Sequence, residues 1–483
     1  MRRRFFLTAA LSSAALPACA EAPATSRRPA AKPADALARS APDANRLVAG
    51  AGLAGRVGFA VADASTGEVL ETLEPLRPMP PASTLKVVTA LYALETLGAG
   101  FRFETRLVAT GPIRAGRLEG DLVLVGGGDP SLDTDGLHAL AGQAQAAGLR
   151  EVAGRLLVDA SALPAVPRID PTQPDQVAYD PAVGAVNLNF NRVHFSWSRA
   201  GGDYRTAMDA RSDRFRPAVA SSRMRVADRS LPVYTYASAG GVDEWTVARG
   251  QLGSDGSRWL PVRNPDLYAG DVLRTMLRSH GIQAPAVRPG RGAGATIARV
   301  QSAPLERVSD AMLEYSTNLV AEVLGLAATA RRAGRAPRSL DASAEAMADW
   351  MAGRAGGRRP DLDDHSGLNG TSRIAAADMV RLLCAPGAAD RLSPILRELV
   401  LDGPPRQPVR AKTGSLNFVS GLTGYFAARS GRPLAFATFV ADTARRDRLA
   451  VADRERPQGG SDWSRTARSL QFDLIERWAA VHA

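Results

Sequence analysis

The chain has 483 residues with 60 Lys or Arg against 49 Asp or Glu, which gives a formal net charge of +11. Its 45% hydrophobic and 23% charged residues are typical of a globular protein and exclude a wholly disordered, collagen-like or coiled-coil chain. Two cysteines are too few for a disulfide scaffold or a Cys-rich zinc module. Lysine occurs only as Lys32, Lys86 and Lys412, and arginine supplies every other Lys or Arg position. A lysine kept in such a chain is a candidate for chemistry that arginine cannot perform.

The amino-terminal residues predict export. Three arginines at 2–4 precede a 12-residue apolar run at 5–16 and then small residues, the pattern of a secretory signal peptide over residues 1–20. The run is shorter than the roughly 20 apolar residues that span a bilayer, and no later stretch predicts a transmembrane segment. Cleavage after Ala20, lipid anchoring through Cys19 and twin-arginine export all remain open. The predicted location is the bacterial periplasm, which disfavours nucleic acid as a partner.

The first part of the mature chain predicts a leader followed by a hairpin and a helix. Residues 21–45 are rich in Pro and Ala without an apolar period, which is typical of a flexible leader. Strands are predicted at 56–61 and 68–73 around a turn at 65–67. A helix follows at 83–97, because Pro81 stands just before a serine that begins an apolar periodic run.

Residues 103–300 change in character, with frequent Gly and Pro and short predicted elements. These are strands at 121–125 and 155–159 and helices at about 136–149 and 269–280. We expect this segment to form one or two strand-rich accessory domains, inserted into the rest of the protein.

The carboxyl-terminal part returns to a helical pattern and ends in strands. Helices are predicted from 308 to about 330, at 341–353 and at 374–384, then strands at 411–414, 421–428 and 434–440, then a helix at 464–481. With the early hairpin, this predicts an α+β core formed by residues 46–102 and 301–483. Its antiparallel sheet would join both ends of the mature chain and would be flanked by helices.

Lys86 follows Ser83 by three residues on the predicted helix, so the two side chains share a face. A serine needs a base to become a nucleophile, and a lysine with a lowered pKa can serve. The helix start also places backbone N–H groups near the serine, which suits an oxyanion. Alone, this spacing is common on helix surfaces.

Two further motifs follow Ser83 and Lys86 in the chain. Lys412-Thr413-Gly414-Ser415 lies on a predicted strand, where a cation and hydroxyls could hold a carboxylate and the glycine lets another backbone approach. Ser316-Thr317-Asn318 is weak by itself and gains weight only from its place between the other two motifs.

Ser-x-x-Lys, Ser-x-Asn and Lys-Thr-Gly in this order are the signature of penicillin-binding proteins and class A β-lactamases. The chain resembles the penicillin-recognising serine D,D-peptidases, and within them the penicillin-binding protein 4-type D-alanyl-D-alanine carboxypeptidase/endopeptidase family. The segments that carry the resemblance are 81–86, 126–132, an Asn-rich strand at 187–191, 364–368 and 412–417. The long spacing from Ser83 to Ser316 also favours this family over β-lactamases, whereas Thr317 stands where Asp is commoner.

The resemblance implies a role for each motif residue. Ser83 would form an acyl-enzyme with the penultimate D-Ala, Lys86 would act as base, and Ser316 would pass the proton towards the leaving amine near Lys412. Asn318 would orient Lys86 or the substrate amide. The substrate's terminal carboxylate or neighbouring amide would be held by Lys412, Thr413, Gly414 and Ser415, and the N–H groups of Ser83 and Ser415 would form the oxyanion hole.

One residue of the insert is a weaker candidate for binding substrate. Asp159 could bind the free amino end of a diaminopimelate stem, although an acid at a strand end is commonly a turn residue. The implied partners are peptidoglycan peptides and β-lactams, and the implied alternatives are a serine β-lactamase or esterase and a non-catalytic wall-binding protein. No cofactor or metal is expected, because the five histidines lack ligand spacing. Cys384 is interpreted as a small buried hydrophobe.

Overall fold

The computed structural model of the protein describes residues 41–400 and 408–482. The predicted signal peptide, Cys19 and Lys32 lie outside the described residues. The predicted leader extends to residue 45, whereas a first helix already begins at Ala44. Asp43 caps that helix, because its side chain accepts the N–H of Asn45 at 2.7 Å.

Helices and strands alternate in blocks along the described chain. The helices are α1 (Ala44–Gly50), α2 (Leu85–Leu97), α3 (Thr134–Ala146), α4 (Pro265–Ser279), α5 (Leu305–Tyr315), α6 (Asn318–Ala333), α7 (Leu340–Ala355), α8 (Ala376–Leu383), α9 (Ala388–Leu392), α10 (Thr443–Asp447) and α11 (Gly460–Val481). The strands are β1 (Arg56–Asp63), β2 (Val69–Leu73), β3 (Glu104–Ala109), β4 (Ile113–Arg114), β5 (Arg117–Leu118), β6 (Leu122–Gly126), β7 (Glu151–Val152), β8 (Leu156–Asp159), β9 (Arg192–Ala200), β10 (Asp203–Asp209), β11 (Ser222–Ala227), β12 (Tyr234–Ala239), β13 (Val242–Ala248), β14 (Asp255–Pro261), β15 (Val287–Pro289), β16 (Ala295–Gln301), β17 (Glu398–Val400), β18 (Pro408–Leu416), β19 (Val419–Ala427) and β20 (Pro433–Ala441).

A six-stranded antiparallel sheet of order β17-β18-β19-β20-β1-β2 unites the two ends of the described chain. Phe59 on β1 stands opposite Thr438 on β20. Successive residues of β1 point to opposite faces of the sheet. Ala60 packs in the hydrophobic core that contains α2, whereas Phe59 and Val61 pack in the core that contains α11. Helices therefore cover both faces, and the predicted α+β class is confirmed.

The segment between α2 and α5 contains further sheets. A five-stranded sheet has the order β15-β8-β6-β3-β16, and three-stranded sheets have the orders β10-β9-β14, β11-β13-β12 and β4-β5-β7. Buried residues from Leu107 to Ala298 form a hydrophobic core of their own. Others from the same segment, among them Leu163 and Ile169, pack instead into the core around α2. The segment thus forms a hydrophobic core of its own and also packs against the core that contains α2.

The helix predicted from 308 to about 330 is wrong as a single element. α5 ends at Tyr315, the following Ser316 has a φ of 56° in the left-handed region, and α6 starts at Asn318 after an extended Thr317. The apolar spacing runs on across this break, so periodicity alone does not show it. Short polar side chains compete with the helix backbone for hydrogen bonds and make such a break less costly.

The Asn-rich strand predicted at 187–191 is also wrong. Asn189, Phe190 and Asn191 form a 3₁₀ turn with φ between 49° and 57°. Asn191 Oδ1 accepts the N–H of Leu188 at 3.0 Å, and its Nδ2 donates to Asn187 Oδ1 at 2.9 Å. Asparagine tolerates left-handed backbone because its short amide bonds locally, so these residues favour a turn.

Candidate active site

Ser83 lies in a 3₁₀ turn, Ala82–Thr84, that runs directly into α2. Lys86 stands one turn later, and its Nζ is 2.9 Å from Ser83 Oγ. The turn itself is tightly fitted: Ala82 has a φ of 48°, and a Cβ on Gly367 would lie 1.9 Å from its carbonyl oxygen. A glycine at 367, where φ is +74°, is therefore needed for the 364–368 loop to pack against the serine.

Three oxygen atoms surround the Lys86 amine. Besides Ser83 Oγ, Nζ lies 2.7 Å from Asn318 Oδ1 and 2.8 Å from the carbonyl oxygen of Ser366. The orientation of the Asn318 amide is set by its other end, since Nδ2 donates to the Tyr179 carbonyl at 2.9 Å. Two of the three contacts are thus oxygens that can only accept a hydrogen bond.

This arrangement determines where the lone pair of a neutral Lys86 points. A neutral amine has two N–H groups, and the Asn318 and Ser366 oxygens bind both. The remaining position of the nitrogen faces Ser83, so the lone pair is directed at the serine hydroxyl. The geometry required for a general base, within hydrogen-bond reach of the proton to be taken, is present.

The electrostatics also favour a neutral Lys86. Burial and, after it, the positive charge of Lys412 lower the pKa of Lys86, Asp364 and Glu322 raise it, and the net result is a pKa of about 7. The Lys86 side chain is fully buried. Burial and the neighbouring cation thus both favour the free amine, a form that an arginine could not provide.

Two buried carboxylates lie behind this amine. Glu322 on α6 accepts the N–H of His365 at 2.8 Å and that of Ser366 at 3.0 Å. Asp364 accepts the Ser366 hydroxyl at 3.0 Å together with the backbone N–H of Asn369 at 2.9 Å. The carboxylates hold the loop whose carbonyl contacts Lys86.

The third motif lies on β18 against the turn that carries Ser83. A Cβ on Gly414 would be 2.8 Å from the Pro81 oxygen and 3.0 Å from the Ser83 nitrogen, so the strand packs on the turn only with glycine there. Lys412 is 4% exposed and donates to the Thr413 carbonyl at 2.9 Å. Burial lowers the pKa of Lys412 to about 8.

A cavity of 630 Å³ opens over the nucleophile. Ser83, Ser316, Asn318 and Ser415 line it, so the structure brings members of all three predicted motifs to one place. The cavity is also lined by the arginines 446, 454, 456 and 468 with one acid, Glu455. The cavity is therefore strongly cationic and suits an anionic ligand.

Asp159 lies elsewhere. It ends β8, and its side chain accepts the N–H of Ser161 at 3.0 Å, which is the turn contact that the sequence also allowed. It is not among the residues that line the cavity with Ser83. Cys384 is half-buried at the end of α8, and burial raises the pKa of its thiol to about 11, which keeps it protonated.

Sequence reasoning missed Glu322, Tyr179 and the arginines of the cavity. Glu322 did leave a signal, because it is the only acid on α6 and stands four residues after Asn318, on the same helix face. Tyr179 and Arg446 left none, since they reach the cavity from a loop and from α10, which are distant from each other in sequence. In the described residues, no helix is long and apolar enough to cross a membrane, and no group of three or more His, Cys, Asp or Glu side chains could hold a metal.

Comparison with known proteins places the fold and the motifs in one family. The D-Ala-D-Ala carboxypeptidase 3 (S13) family matches residues 45–456. The D-alanyl-D-alanine carboxypeptidase of Actinomadura sp. is 27% identical over 435 residues, 79% of this chain and 76% of that protein. The D-alanyl-D-alanine carboxypeptidase DacB of Haemophilus influenzae is 26% identical over 413 residues, 80% of this chain and 85% of that protein.

A solved structure shows the same fold. The crystal structure of penicillin binding protein 4 (dacB) from Haemophilus influenzae superposes with a TM-score of 0.72 at 21% identity, covering 93% of this chain and all of that one. The same protein has been solved with a novel β-lactam bound. The chain belongs to the D-Ala-D-Ala carboxypeptidase 3 (S13) family, and the predicted resemblance is confirmed.

Proposed function

From its membership of the S13 family we propose that this protein is a serine D-Ala-D-Ala carboxypeptidase that acts on peptidoglycan stem peptides. The observation that carries the proposal is the 2.9 Å contact between Ser83 Oγ and an amine whose other two neighbours are carbonyl oxygens. That contact supplies an activated nucleophile with its base already oriented.

The proposed reaction runs through an acyl-enzyme. Lys86 takes the hydroxyl proton as Ser83 Oγ attacks the carbonyl of the penultimate D-Ala, and the carbonyl carbon becomes bonded to the serine oxygen. As the peptide C–N bond breaks, the proton held by Lys86 is relayed through Ser316 to the departing amine of the terminal D-Ala, which leaves Lys86 neutral again. Water then attacks the ester and releases the shortened peptide and free Ser83.

Substrate binding is assigned to the third motif. Lys412, Thr413 and Ser415 hold the terminal carboxylate or the neighbouring amide, while Gly414 keeps the strand close to the nucleophile. The N–H groups of Ser83 and Ser415 stabilise the oxyanion. Removing one donor of this kind costs about 10²- to 10³-fold in other hydrolases.

Endopeptidase activity and penicillin binding follow from the same chemistry. The acyl-enzyme is identical whether the leaving amine belongs to D-alanine or to the side chain of a cross-linked stem, so a D,D-endopeptidase needs no further catalytic group. A β-lactam presents a strained amide to the same serine and would remain attached as a stable ester.

The proposed setting is the cell wall of a bacterium, reached by export. The signal pattern of residues 1–20 supports a periplasmic protein, with Cys19 as a candidate lipid anchor. The separate core between Leu107 and Ala298 supports an inserted accessory unit over residues 103–300, within a catalytic domain formed by 46–102 and 301–483.

A labelled penicillin tests the catalytic assignment. Wild-type protein should form a long-lived adduct that Ser83→Ala cannot form. A serine β-lactamase would release the label quickly, and a non-catalytic wall-binding protein would never carry it. Either result, or an adduct that persists in Ser83→Ala, would refute the proposal.

Digestion of purified muropeptides then separates the two activities. Loss of terminal D-Ala from monomeric stems is expected for the carboxypeptidase, and cleavage of cross-linked dimers is expected for the endopeptidase. If dimers stay intact while D-Ala is released, the endopeptidase part is rejected and the carboxypeptidase part stands.

A further inference from the structure

Glu322 is a fully buried acid whose hydrogen bonds go to backbone N–H groups and not to the side chains of the three motifs. Its two carboxylate oxygens each accept one backbone N–H, Oε2 from His365 at 2.8 Å and Oε1 from Ser366 at 3.0 Å. Both oxygens thus act as acceptors, and these hydrogen bonds favour the ionised form, whereas burial and the neighbouring Asp364 raise the pKa of Glu322 to about 8. Burying such a charge is costly unless hydrogen bonds compensate it, so its presence in the core calls for an explanation.

The other edge of the same two residues faces α2. The carbonyl of Ser366 accepts from Lys86 Nζ at 2.8 Å, and the carbonyl of His365 accepts from Thr89 Oγ1 at 2.6 Å. Residues 365–366 therefore form a short bridge, with N–H groups bound to Glu322 on one side and carbonyls bound to α2 on the other. A shift of this bridge would displace one of the two oxygens that direct the Lys86 lone pair.

A single helix supplies both supports of the base. Asn318 at the start of α6 contacts Lys86 directly, and Glu322, one turn later, contacts it through the Ser366 carbonyl. The helix is further fixed against the bridge, because a Cβ on Gly325 would lie 2.2 Å from the His365 ring. Because Asn318 and Glu322 are four residues apart, both side chains lie on the same face of α6.

We propose that Glu322 is a positioning residue for acylation: its carboxylate anchors the 365–366 backbone so that the Ser366 carbonyl directs the Lys86 lone pair at Ser83. The inference rests on the proposed function, because it concerns how the base of that reaction is aimed. Asp364 has a separate task, since it binds the Ser366 hydroxyl and the backbone beyond it.

The charges around Lys86 give the proposal a second readout. Lys412, Asp364 and Glu322 act on the Lys86 amine. His365 adds no charge at neutral pH, because burial lowers the pKa of its imidazole to about 3. Glu322 and Lys86 act on each other: an ionised Glu322 favours the protonated amine, and the protonated amine lowers the pKa of Glu322. Replacing the acid by a neutral amide therefore lowers the pKa of Lys86 and moves the acid limb of the rate profile to lower pH.

The experiment measures acylation by a labelled penicillin across pH, in wild type and in Glu322→Gln. Glutamine keeps the size but can accept only one of the two N–H groups. We expect the acylation rate to fall about 100-fold, as for other small misplacements of catalytic groups, with non-covalent penicillin binding little changed. The acid limb of the remaining rate should lie at lower pH than in wild type.

Asp378→Asn is the matched control. Asp378 is also buried and accepts a backbone N–H, that of Arg358 at 3.2 Å, but it lies on α8 and does not line the cavity. We expect the wild-type rate and pH profile for this variant. If Glu322→Gln behaves as Asp378→Asn does, or loses rate without any shift of the acid limb, Glu322 is only a structural residue and the inference fails.

Glu322→Asp keeps the test decisive if the glutamine variant does not fold. Aspartate keeps the carboxylate, but its side chain is one methylene shorter and cannot reach both N–H groups equally well. The acylation rate should therefore fall, while the acid limb of the pH profile stays near its wild-type position. A wild-type rate in Glu322→Asp would refute the inference. Failure of the proposed function looks different, because the wild-type protein itself would then neither bind penicillin covalently nor release D-Ala.

Discussion

The surroundings of the two lysines in the core differ in how each nitrogen is held. Lys86 has three oxygen neighbours, contributed by three separate parts of the chain. Lys412 donates to the carbonyl of the next residue in its own strand. Lys86 also has two buried carboxylates in its neighbourhood, whereas Lys412 is affected by the more distant Glu314 and by Arg397.

This difference separates two uses of the same side chain. A base must present its lone pair in one direction, and that requires fixed acceptors on the other sides of the nitrogen. A cation that binds a carboxylate needs only to be buried, close and free to turn towards its ligand. The structure therefore supports the base assignment for Lys86 more specifically than any charge-based argument, and the predictions below test that contrast.

The largest effect is expected from Lys86→Arg. Arginine keeps the charge but cannot lose its proton, so acylation by labelled penicillin should fall about 10²- to 10⁴-fold. Lys412→Arg is the comparison variant, and it should lose less, because a cation remains beside the cavity. Normal acylation in Lys86→Arg would contradict the base assignment.

The next largest effect is expected in the pH dependence of the acylation rate of the wild-type protein. Acylation needs the unprotonated amine, and the pKa of Lys86 is lowered to about 7. Below that pH the rate should drop about tenfold per unit, and above it the rate should level off. Stopped-flow acylation rates at several pH values check this, and a flat profile between pH 5 and 8 would mean that another group is the base.

Removal of the second cation should shift that profile by a smaller amount. Lys412 lowers the pKa of Lys86, so Lys412→Met should raise it and move the acid limb to higher pH. The direction is opposite to that expected for Glu322→Gln. Measurements at saturating penicillin are needed, since the variant also weakens binding, and an unmoved limb would show that the two lysines are electrostatically independent.

The smallest effect concerns the packing behind Lys86. Gly325→Ala would place a Cβ 2.2 Å from the His365 ring, and thermal unfolding should show a loss of about 1–3 kcal/mol from overpacking. Gly353→Ala on α7 meets nothing within 4 Å and should stabilise the protein by about 0.5–1 kcal/mol. Equal melting temperatures for the two variants would mean that the helix and the His365 loop can separate without cost.

Much of the fold was accessible from local patterns. The hairpin at 56–73, α2, α11 and the three strands β18, β19 and β20 were predicted with ends within a few residues of those observed, because period-2 and period-3.6 patterns are local properties. The break at Ser316 and the turn at 189–191 were not. Both depend on left-handed backbone at a few mostly polar residues, which an apolar period does not record.

The site divides in the same way. Three short motifs predicted Ser83, Lys86, Ser316, Asn318 and Lys412 as one group, and the structure brings the three motifs together around one cavity. Tyr179 and Arg446 line it without any sequence signal, because a loop and a short helix far apart in the chain meet there only after folding.

The sequence by itself determined which chemical groups the protein has: one serine with a lysine one turn away, and a second lysine before Thr-Gly. It also determined the α+β class, because periodicity and motif order are written along the chain. Only the tertiary structure decided which way the Lys86 lone pair points, since the oxygens at Asn318 and Ser366 come from segments more than 200 residues away from it. The direction of a lone pair depends on the atoms packed around it, and those atoms are brought together only by folding. The proposed role of Glu322 likewise depends on the 365–366 backbone that folding places beside it.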